Sequence, residues 1–160
     1  MYKKELQENT AQLREHSDHM RLQRIESTIF NLIETHNNSI DIIKSNAPEY
    51  KDLRGIQLLE VMFREVLIKE YGIRTYQDMK KIKIFTEYLS LVNDSKALNS
   101  YTFILHYIHN LEGVSREQKQ EFMTLLYSQI PIALFSCYVI LLLDDKYHLE
   151  IIESYKMWWD

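Results

Sequence analysis

Turn-forming residues are what this chain has least of. Its 160 residues include three glycines and two prolines. A sheet needs many tight turns, so that scarcity argues against one. The only cysteine is Cys137. It cannot form an internal disulfide, and such usage suits a reducing cytosol. No glycine-rich phosphate loop, Cys-x-x-Cys or His-Glu-x-x-His motif occurs, so neither a cofactor nor a metal is expected. Net charge is −4, which argues against a broad nucleic-acid surface. Arg74, Lys80, Lys81 and Lys83 read as an ordinary solvated helix face. No apolar leader follows Met1, so a cytoplasmic protein is expected.

The dominant feature is a run without charge from Phe122 to Leu143. Its length would cross a bilayer as a helix. Its flanks favour a buried core helix instead. Ser115-Arg-Glu-Gln118 has the form of a capping box, which puts the helix start at residue 116. Asp144-Asp145 closes the run, and no basic cluster or tryptophan belt marks a membrane interface. Pro131 should bend this helix and free the carbonyl of Tyr127 for a side chain or water.

The remaining apolar residues recur at helical spacing. Leu22, Ile25, Ile29, Leu32, His36, Ile40 and Ile43 line one face of residues 20–45. Leu53 to Leu67 gives a second helix, which ends at a Tyr71-Gly72 cap. Ile82, Phe85, Leu89 and Val92 give a third. A turn and N-cap at Asn93-Asp94-Ser95 precedes a fourth, from Leu98 to Leu111. A last helix over 146–158 turns Leu149, Ile152 and Tyr155 inward. The expected fold is all-α. It is a single-domain helical bundle of about five or six helices around an apolar central helix, 116–143. Residues 1–20 read as a polar helical lead segment and residues 21–160 as the bundle domain. In the lead, Leu6, Leu13 and Met20 stand at heptad spacing.

Few residues suggest chemistry. His16/His19 and His106/His109 are His-x-x-His pairs, each on one helix face. Glu112 extends the second pair, but zinc needs another ligand that the sequence does not identify. Partly buried, hydrogen-bonded histidines are the plainer reading. Arg14 and His19 fit the Arg-x4-His spacing of HEPN-group ribonucleases, in which a histidine orients or activates a 2′-hydroxyl. That spacing also arises by chance. Trp158-Trp159 is either an exposed aromatic anchor or a lid on the bundle end.

Several segments together point to a family. Ile29-Phe-Asn-Leu-Ile-Glu-Thr-His-Asn37, Gly55 before an apolar helix, Tyr101 to Leu111, Tyr127-Ser-Gln-Ile130 and Leu134-Phe135 resemble the phage abortive-infection (AbiC-like) proteins. The likeness covers about residues 10–143. It implies a helical, cytosolic domain in a protein that restricts phage by harming the infected cell. That domain commonly follows membrane helices. The chain then reads as a soluble member or as a piece that begins after an anchor. In the second case an anchor or a partner gives it membrane association. Two arginines of the family pattern are replaced, by Ile104 and Tyr127, so any activity that needs them is in doubt. His36, Asn37 and Gln129 carry over best. Gln129, inside an apolar helix, is expected to bond His36 or Asn37.

Three functions follow as expectations. The first is anti-phage defence by sensing or binding a protein or phage component, with His36, Asn37, Gln129, His106 and His109 as binding residues. The second is a small HEPN-like ribonuclease with Arg14 and His19 as its catalytic residues. The third is a structural module that forms a homo-oligomer through residues 1–20.

Overall fold

The structure, a computed structural model, describes residues 2–81, 87–94 and 96–158. Ile82, Lys83, Phe85, Ser95 and Trp159 lie outside the described residues, as does the side chain of Leu89. Among the described residues the fold is all-α, as the residue spacing predicts. It has eight α-helices, in the order α1 (Tyr2–Asp41), α2 (Gly55–Met62), α3 (Tyr76–Lys80), α4 (Glu87–Asp94), α5 (Ala97–His109), α6 (Arg116–Gln129), α7 (Ile132–Leu141) and α8 (Lys146–Ser154).

α1 runs 40 residues, about 60 Å at the rise of an α-helix. Every residue from 2 to 21 is exposed. Burial begins at Ile25 and continues through Ile29, Ile33, His36 and Ile40. The lead segment and the first core helix are thus one rod, half of it projecting from the bundle.

α1 ends against Gly55. The Gly55 amide donates to the Ile43 carbonyl at 2.8 Å, and its φ is +52°. A Cβ there would sit 3.2 Å from the Asp41 Cα, so both the backbone conformation and the close approach call for glycine. Past Met62, α2 widens into a π-type turn over Phe63–Glu70. It stops where Gly72, at φ +67°, caps it through Ile68. The five-residue α3 was not legible as a periodic segment. A capping box between Thr75 and Asp78 starts it.

The expected continuous helix over 116–143 is two helices, α6 and α7, with 111° between their axes. Proline biases the residue before it toward extended backbone, and Ile130 adopts φ −104°, ψ 118°. The chain therefore turns a corner and does not merely bend. The Tyr127 carbonyl, which loses its helical donor, accepts the Ile130 amide at 3.2 Å, so neither a side chain nor a water is needed. Among the described residues no single helix is long and apolar enough to cross a membrane. The sharply bent α6–α7 pair passes by length and composition alone.

α7 is the enclosed element. Ala133 through Ile140 are all buried, against α2, α3 and α4. α6 is only half-buried, with Phe122, Met123 and Leu126 facing in. α5 is the second hub and packs on α1, α4, α6 and α8. Trp158 stacks on Tyr76 with centroids 5.2 Å apart, and so covers one end of the bundle. The Tyr76 hydroxyl and Lys80 both donate to Glu153 on α8.

Candidate functional site

The residues singled out in the sequence fall in three places. Arg14, His16 and His19 stand on the projecting half of α1, exposed. Five residues along a helix is about 140° of rotation, so Arg14 and His19 point to different sides. The structure does not bring them together, and a groove of their own helix adjoins His16 and His19.

His36 lies at the junction of α1, α5 and α7, and it is completely buried. Its Nε2 is 2.6 Å from the Tyr138 hydroxyl, and its Nδ1 is 3.3 Å from Asn37 Oδ1. One neutral tautomer satisfies both contacts: Nδ1–H donates to Asn37, and the Tyr138 hydroxyl donates to Nε2. Burial lowers the His36 pKa from 6.5, and the Asn37 bond opposes that only in part. Burial likewise pushes the Tyr138 hydroxyl well above its usual value. Tyr101 stacks on Tyr138, with centroids 4.5 Å apart. Its own hydroxyl is buried and finds no hydrogen-bond partner among the described residues. The expected partner of His36, Gln129, is exposed instead. α6 stops at Gln129, and its last turn buries Leu126 while it leaves Ser128 and Gln129 in solvent. This junction is sealed, so its chemistry is that of a polar link inside the core.

The third place is accessible. His106 and His109, in the last turn of α5, meet Tyr147 of α8, Tyr155 just past its end, and a cation of α6. His106 and Tyr147 have ring centroids 5.9 Å apart, and Nδ1 of His106 lies 3.0 Å from the Tyr147 hydroxyl. Asn110 donates to that hydroxyl and to the His106 carbonyl. His109 lies 6.3 Å from the Tyr147 ring and 6.0 Å from the Tyr155 ring. The Arg116 guanidinium sits over Tyr155 at 5.1 Å. The result is a ladder of rings that ends under a cation. The His-x-x-His spacing marks its α5 side and the helical spacing marks Tyr155 as inward-facing, while Tyr147 carries no sequence signal of its own.

Cations gather at the same end. Arg116 donates to the Ser154 carbonyl at 3.0 Å and Lys119 to the His109 carbonyl at 2.8 Å. Arg21 reaches across from α1 to the Glu112 carbonyl. Basic side chains satisfy the free carbonyls of helix ends in this way. The His109 pKa is lowered, first by burial and then by Lys119, His106 and Arg116. No group of three or more metal-ligating side chains occurs among the described residues. Compared with known proteins, the chain matches no family model, no curated protein and no solved structure.

Proposed function

We propose that this chain is a phage-defence protein of the abortive-infection type that acts in the cytoplasm by binding a partner. The reading rests on the resemblance of residues 10–143 to AbiC-like proteins. The observation that supports it most is the position of His36 and Asn37. They end the first resembling segment and occupy the polar link at the centre of the bundle. Tyr138, which completes that link, lies three residues beyond Leu134-Phe135, the last of the quoted resembling segments. Segments that carry the resemblance therefore contribute to the core. His106 and Tyr147, the exposed members of the ladder, offer the partner an accessible polar surface. Expression in a bacterial host, followed by plaquing across a broad phage panel, tests the proposal. Reduced plaquing or early death of infected cells is expected. Unchanged plaquing at full expression would sink it.

A second reading is favoured by the projecting half of α1. Leu6, Leu13 and Met20 are 65%, 69% and 40% exposed and repeat every seven residues, the period of a coiled-coil seam. A second copy of the chain, with the same period, is the occupant this reading names. Light scattering on the full chain and on a form without residues 1–20 tests it. Equal monomeric mass for both would remove the arm as an assembly element.

A further inference from the structure

The ladder and the cations beside it share one surface. Phe103 and His106 are a helical turn apart on the exposed side of α5. Phe103 is 56% and Tyr147 43% exposed, so both rings reach water. Three cations, Arg21, Arg116 and Lys119, lie around the turn between α5 and α6. Each is bonded to a backbone carbonyl. A guanidinium has five N–H donors and an ammonium three, so donors and full charge remain. None of the three forms an ion pair among the described residues. Of the nearby acids, Asp145 is 2.6 Å from His148 Nδ1, Glu117 feels the charge of Arg116, and Glu112 and Glu121 are exposed. The groups that act on the charge of His109 are Lys119, His106 and Arg116, all of one sign. Within a chain of net charge −4, three cations without an ion-pair partner among the described residues thus stand beside exposed rings.

Which anion fits follows from the rings. An acidic peptide would use the cations and leave Phe103 and Tyr147 without a role. An anionic lipid surface is usually met by about four to eight basic residues. Single-stranded nucleic acid uses both features, phosphates on Arg and Lys and unpaired bases on ring faces. We propose that the surface formed by Phe103, His106, Tyr147, Arg116 and Lys119 binds single-stranded nucleic acid, its phosphates on the two cations and its bases on the rings. This deepens the partner-binding reading above by naming the partner's chemistry.

Fluorescence anisotropy of a labelled single-stranded oligonucleotide, about 15 nucleotides long, tests the assignment on the full chain. Two neutralised phosphates predict a slope of about −1.4 for log K against log salt. Arg116→Ala with Lys119→Ala should weaken binding about tenfold or more and flatten that slope toward zero. Tyr147→Ala should weaken binding about fivefold or more and leave the slope in place. Lys51→Ala, an exposed site outside the patch, should change neither. Circular dichroism checks that each variant is helical. If the double variant loses its helicity, Tyr147→Ala and His106→Ala, both on exposed side chains, decide. No binding by the parent chain, an unchanged affinity in these variants, equal affinity for duplex, or tighter binding of poly-glutamate would each overturn the proposal. Oligonucleotide binding without any effect on plaquing would keep this inference and defeat the defence reading.

Discussion

The Nε2 of His36 lies 2.6 Å from the hydroxyl of Tyr138, a residue 102 positions later in the chain. The pair joins the longest helix to the most deeply buried one, and both side chains are wholly enclosed. Tyr138→Phe leaves the ring in place and strands the Nε2 lone pair in the core. A buried acceptor without its donor costs about 1–3 kcal/mol. In a domain of this size that lowers Tm by about 2–4 °C per kcal/mol. Tyr101→Phe has the opposite expectation. It removes a buried hydroxyl that lacks a partner, so stability should hold or rise. Thermal melts of the two variants check the contrast. A larger loss for Tyr101→Phe would mean that the polar link is misassigned.

The same histidine sets a pH dependence. Its folded pKa lies below 6.5 because burial disfavours the imidazolium. Below about pH 6.5 the unfolded chain therefore binds more protons than the folded one. Stability should be level above that pH, decline as pH falls through the window below it, and level again once the folded pKa is passed. One proton gives a slope of at most about 1.4 kcal/mol per pH unit. Tyr138, Tyr101 and Asn37 are the neighbours of the ring, and none supplies a formal charge to offset it. His109, also lowered, adds a smaller contribution from a less enclosed position. Urea unfolding at about pH 7.5, 6 and 5 measures the profile. His36→Gln should flatten most of it, and an unchanged profile in that variant would place the effect elsewhere.

Local rules were legible where one residue decides the local backbone. The Ser115–Gln118 capping box forms as read, with both of its hydrogen bonds, and Gly72 ends its helix in the left-handed conformation. The corner at Pro131 was legible only in part. Proline marks the break, but the 111° turn depends on what α7 packs against. α3 escaped because five residues are too few to show a period. The partners of His36 and His109 escaped for a different reason. Tyr138 and Tyr155 lie 102 and 46 residues away from them, and no local pattern encodes such a meeting. Gln129 was misplaced because an uncharged run was read as uniformly buried, whereas the last turn of α6 still has a solvent side.

Gly55 offers a test of the joint between α1 and α2. Alanine there would be held at φ +52°, with its Cβ 3.2 Å from the Asp41 backbone. A left-handed residue without glycine costs about 1–3 kcal/mol, and the contact adds to it because backbone cannot swing aside. Gly72→Ala serves as the comparison. Its φ is +67°, but nothing lies within 4 Å of the added carbon. Denaturant midpoints should fall for both and further for Gly55→Ala. Equal losses would show that the close approach to Asp41 contributes nothing.

Leu134 tests the burial of the uncharged run. It sits in the first turns of α7 with none of its surface exposed, and its amide bonds the Pro131 carbonyl at 3.0 Å. Aspartate at that site places a charge among apolar neighbours with no partner to receive it. An unpaired buried charge costs several kcal/mol, against a total stability of about 5–15 kcal/mol for an ordinary domain. Leu134→Asp should therefore leave the chain unfolded or insoluble. Ile132→Asp, two residues earlier on an exposed side chain, should be tolerated. A membrane-spanning run would not make that distinction, because both positions would face hydrocarbon. Carbonate extraction of membranes from expressing cells separates the cases directly. The parent chain should appear in the soluble fraction. Its retention in the carbonate-resistant pellet, with both aspartate variants equally damaging, would mean that α6 and α7 pack against lipid and not against α2, α3 and α4.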